Sequence, residues 1–352
     1  MQKILNDLIL SKSSKMITYH EYMNLVLYDP QYGYYMKEKE KIGSKGDFIT
    51  SSNYADILGY LFAKWFEKKI KENSLAPIFC EIGAGNGRFA KAFMEEWYSC
   101  PREELTYIII EKSPYHKQLQ LDQFEENWNV RYVNSVQDLN QFKGMVFSNE
   151  LFDAFPVHVI EKDQGQLYEI MVSIENNLLV EKKVPLTDEA IFNFIEDYDI
   201  IITDGQRIEI SLDMENMISD ISSALEAGFV VTIDYGYSNE EWQVPVRKEG
   251  SLRGYYQHKL VKNVLTHPGE MDMTSHIHWD ALEKVGEKYN LQKINRWRQH
   301  DFLLSIGILE ELKNHGDLNP FSEVNKRNRA IRSLIMPQGI SDAFHVLLQR
   351  KI

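Results

Sequence analysis

The sequence predicts an α/β fold, a mainly parallel sheet covered by helices on both faces. Three observations lead there. Short apolar runs recur at Ile78-Phe79-Cys80-Glu81-Ile82, Tyr107-Ile108-Ile109-Ile110, Val130–Val133 and Met145-Val146-Phe147. Amphipathic patterns separate them, as where Phe89, Phe93 and Trp97 stand four apart. Polar residues then follow the runs, with Glu111 after the second and Asn149 after the fourth. Strands that alternate with helices pair in parallel, because each crossover carries the chain back to the end of the sheet where the preceding strand began. A chain of 352 residues suits about two domains or one large α/β domain.

Taken in order, residues 1–10 form an amphipathic stretch. Thr18 and Glu21 make a capping-box pattern before Tyr22, Met23, Val26 and Leu27, so a helix begins there and Asp29-Pro30 ends it. Residues 31–50, rich in glycine and tyrosine, read as an irregular loop long enough to suspect a function. Over residues 53–72 the positions Tyr54, Ile57, Leu58, Leu61, Phe62, Trp65 and Phe66 share one helical face. The alternation breaks at Pro156. Residues 157–185 show strand-like runs with turns at Asp163-Gln164-Gly165 and Glu175-Asn176-Asn177, which predicts antiparallel hairpins inserted into the frame. A helix is expected over 213–227 with Gly228 as its stop, then a fifth strand over 229–233, and the last two strands over 291–297 and 344–350.

Composition narrows the function. The chain is 43% hydrophobic and 26% charged, an ordinary globular balance. No run reaches the length of apolar residues needed to span a membrane. Lysine and arginine total 39 against 52 acids, a net charge of −13. Such a surface disfavours nucleic acid as partner and mildly favours a basic protein. Cys80 and Cys100 make no disulfide framework. With no apolar signal core and no arginine before Arg88, the expected compartment is the cytoplasm.

The strongest motif is Glu81-Ile82-Gly83-Ala84-Gly85-Asn86-Gly87, between a strand and a helix. Glycines there allow tight turning and close backbone approach by a ligand. Dinucleotide enzymes use this geometry with G-x-G-x-x-G spacing and a pyrophosphate at the helix N-terminus. Here the spacing is G-x-G-x-G, and an acid precedes it. A carboxylate at Glu81 disfavours pyrophosphate and suits S-adenosylmethionine, whose ammonium and sulfonium are cationic. Glu111 can accept hydrogen bonds from two ribose hydroxyls of either cofactor. A nicotinamide-dependent oxidoreductase is therefore the weaker reading.

Several further motifs resemble the MidA-like methyltransferase family, whose mitochondrial members are complex I assembly factors and protein arginine methyltransferases. Asn149-Glu150-Leu151-Phe152-Asp153-Ala154-Phe155-Pro156 is similar to its hallmark, and Gly46-Asp47-Phe48-Ile49-Thr50-Ser51 to its N-terminal loop. Tyr28-Asp29-Pro30 with Gly33-Tyr34-Tyr35, Asp234-Tyr235-Gly236, Gly250-Ser251-Leu252-Arg253, Asp272-Met273-Thr274-Ser275-His276, and Gln299 with Phe302-Leu303 follow in family order. Three positions depart from the pattern: Gly-Ala-Gly replaces Gly-Pro-Gly, Ser251 replaces threonine, and His278 stands where an acid is common.

The resemblance implies a class I, Rossmann-like methyltransferase fold: a mainly parallel seven-stranded sheet with an N-terminal helical cap and an inserted hairpin region. It implies one methyltransferase domain over 1–352, with cap and lid loop at 1–75, a cofactor-binding half at 76–156, a substrate-side insertion at 157–212 and the rest of the sheet at 213–352. The implied cofactor is S-adenosyl-L-methionine. Its expected contacts are Glu81, Gly83, Ala84, Gly85, Gly87, Glu111 and Lys112, with Ser135 and Val136 near the adenine, Asn149 near the methyl, and Asp47 and Phe48 folding over from the lid. The implied acceptor is an accessible arginine of a protein.

Ligands of doubly wound sheets lie at the carboxyl ends of the strands, which is where Asn149, Glu150 and Asp153 fall. These three are the candidate catalytic residues. Glu150 and Asp153, two acids three apart, are candidates to clamp a guanidinium, with His276 beside the substrate. Two have a plainer reading, Asp153 as a turn former and Glu150 as a solvated rim residue; Asp138, which follows the third strand near the expected adenine contacts, reads equally as a helix cap. His276 and His278 alternate as on a strand, but no third ligand has convincing metal spacing, so no metal is expected. An assembly factor that binds the donor and barely turns over is the alternative outside catalysis.

Overall fold

The computed structural model describes residues 1–38, 52–312, 319, 321–336 and 343–352. The chain divides into two compact units. One is built from Met1–Ile49, Phe152–Ile218 and Gly236–Val285; the other from Thr50–Leu151, Ser219–Tyr235 and Gly286–Ile352. Asp47 and Phe48 lie outside the described residues.

The second unit holds most of the predicted sheet; its strand Leu225–Tyr237 also pairs in parallel with a short strand, Ile277–His278, so the described residues make eight strands where seven are expected. Its strands run Gln292–Arg298, Phe344–Lys351, Leu225–Tyr237, Phe142–Asn149, Ile78–Ile82, Thr106–Ile110 and Val130–Val133 from edge to edge. The pairings from Leu225–Tyr237 to Val130–Val133 are parallel, and Phe344–Lys351 runs antiparallel to both of its neighbours. Helices Ser52–Asn73 and Arg88–Tyr98 pack against it. Their buried faces meet Phe79, Tyr107, Phe147 and Phe229 in one apolar cluster, which accounts for the helical spacing of Leu61, Phe62, Trp65 and Phe66.

One boundary differs from expectation. The helix ends at Ala224, and the strand begins at Leu225 instead of residue 229. Gly228 is no helix stop: it sits inside the strand, paired with Gly144. A Cβ on Gly228 would come within 1.9 Å of the Gly144 carbonyl, so this glycine serves a close strand–strand approach. Pairing of Leu225 with Phe142 outweighs the helical pattern that continues through the same residues.

In the first unit, Thr18 caps the helix Tyr19–Tyr28 with a complete capping box. The expected hairpins are His158–Asp163, Gln166–Glu175 and Leu178–Pro185. Their turns place Gln164, Gly165, Asn176 and Asn177 at positive φ. Two strands unforeseen in the sequence complete that sheet: Met16–Thr18 beside Gln166–Glu175 and Arg207–Ile210 beside His158–Asp163. A small sheet of Arg253–Tyr256, Lys259–Val261 and Asp272–Thr274 was likewise unforeseen.

Candidate active site

The glycine turn follows Ile78–Ile82 and opens the helix Arg88–Tyr98. Gly83, Gly85 and Gly87 all have positive φ, at 77°, 53° and 77°. Each Gly is used differently. Gly83 donates its amide to the Ile110 carbonyl at 2.8 Å, which ties the turn to the neighbouring strand. Gly87 lies against Gln120, Gln123 and Phe124, so it has no room for a Cβ. Among the described residues Gly85 has nothing within 4 Å of an added Cβ, so its α-carbon faces open space. That open, glycine-floored space is what a nucleoside-bearing cofactor requires.

Glu111 stands beside it. Its Oε2 accepts the Gly85 amide at 2.9 Å and its Oε1 accepts the Ser113 amide at 2.8 Å. Each oxygen keeps a further lone pair, enough for two ribose hydroxyls. Glu81 is placed otherwise than an open anionic contact. It is 4% exposed, and its Oε2 accepts from the Tyr107 phenol at 2.7 Å. Burial pushes its carboxyl up to about 8, with nearby Glu111 adding to the rise and the Tyr107 bond opposing it. Ala84 and Val136 are buried, whereas Lys112 is exposed. Ser135 precedes a short 3₁₀ turn and donates to Asp138 Oδ2 at 2.8 Å.

Asn149 ends the strand Phe142–Asn149, and its Nδ2 lies 3.2 Å from Glu150 Oε1 as donor. Glu150 is exposed and has φ of +50°, a left-handed conformation costly for a residue with a Cβ. Its amide donates to Ile233 O at 2.9 Å, which fixes the turn to the adjacent strand. Glu81, Glu111, the glycines, Asn149 and Glu150 thus share the second unit.

Asp153 and His276 belong to the first unit. Asp153 is 3% exposed, with its carbonyl accepting from the Ser275 amide at 2.9 Å. The Tyr28 phenol donates to the next carbonyl, that of Ala154, at 2.9 Å. Tyr35, stacked on Tyr28, donates to Asp272 at 2.5 Å. The tyrosine motif therefore anchors the segment carrying Asp153. His276 stacks on Tyr237 at 4.4 Å, and its Nε2 lies 3.3 Å from an Arg253 nitrogen. Burial, then Arg253 and Arg247, push its pKa down to about 3. His278 donates from Nε2 to the Glu209 carbonyl at 2.9 Å and is lowered to about 4 by burial. Among the described residues no three His, Cys, Asp or Glu side chains gather as metal ligands.

Sequence reasoning missed Tyr107, Gln120 and Gln123. Gln120 donates to the Gly85 carbonyl at 2.6 Å, and Gln123 donates to that of Asn86. The one available signal was a phenol two residues into an apolar strand parallel to the one bearing Glu81.

Residues 58–295 match the family described as "Putative S-adenosyl-L-methionine-dependent methyltransferase". Among curated proteins, the mitochondrial protein arginine methyltransferase NDUFAF7 of Homo sapiens is 26% identical over 336 residues, covering 86% of this chain and 72% of the relative. The Xenopus tropicalis protein of the same name is 25% identical over 346 residues, 88% of this chain and 76% of the relative. A Burkholderia thailandensis structure bound to S-adenosyl-homocysteine shares the fold, with a TM-score of 0.88 at 23% identity over 99% of this chain and 92% of that one. With two thirds of its length matched, and with an open glycine turn flanked by Glu111, the chain belongs to this S-adenosyl-L-methionine-dependent methyltransferase family.

Proposed function

We propose that the chain methylates a side-chain nitrogen of a protein, arginine being the favoured acceptor, in the cytoplasm. The observation that carries the acceptor reading is Glu150: an exposed carboxylate held at φ +50° directly after a central strand of the cofactor-binding sheet. Strained non-glycine backbone is retained where a side chain must point in a set direction. The names of the curated relatives support the same acceptor.

The donor supplies a methyl group activated on sulfonium sulfur. The chain's residues bind, orient and exclude water. Gly83, Gly85 and Gly87 give the backbone floor, and Glu111 offers its remaining lone pairs to the ribose. Glu150 and Asn149 hold the acceptor nitrogen in line with the methyl carbon. The new N–C bond forms as the C–S bond breaks, and the nitrogen's proton leaves to solvent. Such a transfer needs alignment more than a strong base. Asp153, buried beside the tyrosine anchors, acts by holding the segment that follows Glu150.

The test is incubation with methyl-labelled donor and undermethylated protein from the source cells, followed by hydrolysis and amino-acid analysis. Labelled methylarginine is expected. Label confined to lysine or to small molecules would overturn the acceptor assignment.

A further inference from the structure

The face of the glycine turn away from the open space carries two amides of the same kind. Gln120 is fully buried, yet it uses only the donor half of its side chain: Nε2 donates to the Gly85 carbonyl at 2.6 Å. Its Oε1 is buried with no hydrogen-bond partner among the described residues. Gln123 Nε2 donates to the next carbonyl, Asn86 O. Both side chains crowd Gly87, where a Cβ would lie 2.6 Å from Gln120 Cγ and 2.9 Å from Gln123 Nε2.

A buried amide with an unsatisfied oxygen is costly, and leucine fills nearly the same volume without that cost. Glutamine at 120 is thus explained by the carbonyl it holds, not by packing. The turn is gripped three ways: Glu111 takes the Gly85 amide, Gln120 the Gly85 carbonyl and Gln123 the Asn86 carbonyl. Two successive carbonyls are drawn to the far side, and the Gly85 α-carbon is left facing open space. A carbonyl free to rotate would turn its oxygen into the space the donor needs.

We infer that Gln120 and Gln123 are positioning residues that preorganise the glycine turn and thereby set the affinity for the methyl donor. This rests on the donor occupying the space above Gly85. Preorganisation acts on binding because the ordering cost is met before the ligand arrives.

The experiment is calorimetric titration of the full chain with S-adenosylhomocysteine, for wild type, Gln120→Leu and Gln123→Leu. Melting temperature and hydrogen exchange at the Gly83–Gly87 amides are measured alongside. The expected result is a Kd weakened about tenfold or more, a change of 1.4 kcal/mol at 25 °C, with melting temperature unchanged or higher. Exchange should quicken at the turn and stay constant in the sheet strands. A merely structural glutamine would instead lower the melting temperature and leave exchange at the turn in step with the whole domain. Unchanged Kd in a folded Gln120→Leu overturns the inference. Should that variant fail to fold, half-buried Gln123 decides it, and unchanged Kd in Gln123→Leu is then the overturning result. Failure of the wild type to bind would overturn the donor reading itself, which the control separates from the inference.

Discussion

The Tyr107 phenol donates to the Glu81 carboxyl at 2.7 Å, and the pair is buried in the sheet beneath the glycine turn. The acid that marks the cofactor motif is therefore a guest of the core. Burial raises its pKa to about 8, from an ordinary 4.5. In the folded chain it holds a proton that the unfolded chain releases.

The sign of the consequence is fixed. A native state that binds more protons than the unfolded state loses stability as pH rises. Stability from this group therefore falls between pH 4.5 and about 8. Glu81→Gln, which stays neutral, should flatten the decline in that window. Urea denaturation of both proteins at several pH values checks it; parallel curves would assign the acid an ordinary pKa.

Two histidines of the first unit act oppositely. His276 and His278 are held neutral, lowered from 6.5 to about 3 and about 4. The unfolded chain takes up protons near 6.5, so stability is intact above that value and is lost as pH falls toward 4. His278→Gln should make the acid limb shallower, provided its amide keeps the bond to the Glu209 carbonyl. An unaltered acid limb in a denaturation series would show that the ring titrates normally.

Two variants report on the donor floor. Gly85→Val puts a branched side chain at φ +53° into the open space beside the turn, and donor binding should be abolished in a folded protein. Glu111→Ala should weaken binding by roughly 1–3 kcal/mol, the range for hydrogen bonds to a charged group. Titration with S-adenosylhomocysteine measures both, and full affinity in Gly85→Val would put the pocket elsewhere.

The sheet was legible because its order depends on local signals that survive in a single sequence. Ile78–Ile82 and Val130–Val133 have the expected bounds, since each apolar run is framed by polar residues. The helix–strand border at 224–228 was not legible: a helical periodicity runs through residues whose fate is set by pairing with Phe142 and Gly144, distant in sequence. The same holds for the site. Glycine spacing revealed the turn, and Glu111 was placed by its position after a strand. Gln120 and Gln123 carry no spacing signal, because their meaning lies in two carbonyls more than thirty residues away. Likewise the two acids three apart differ in burial, Glu150 exposed and Asp153 buried, which spacing alone does not reveal.

That asymmetry shapes the last expected outcome. If Glu150 holds the acceptor, Glu150→Gln keeps its shape and removes its charge. Transfer to an arginine-bearing protein should drop by orders of magnitude while donor affinity stays within a few fold, because the lost contact acts on the acceptor in the transition state. Asp153→Asn should reduce transfer less and lower the melting temperature, as expected of a buried group. A second substitution divides strain from chemistry. Glycine adopts φ near +50° at no cost, so Glu150→Gly should stabilise the fold by about 1 kcal/mol. It should nevertheless be as inactive as Glu150→Gln. A variant that gains stability and loses transfer identifies a backbone strained for function. Near-normal transfer by Glu150→Gln, measured on a verified substrate, would make Glu150 a rim residue and leave the acceptor nitrogen to other groups.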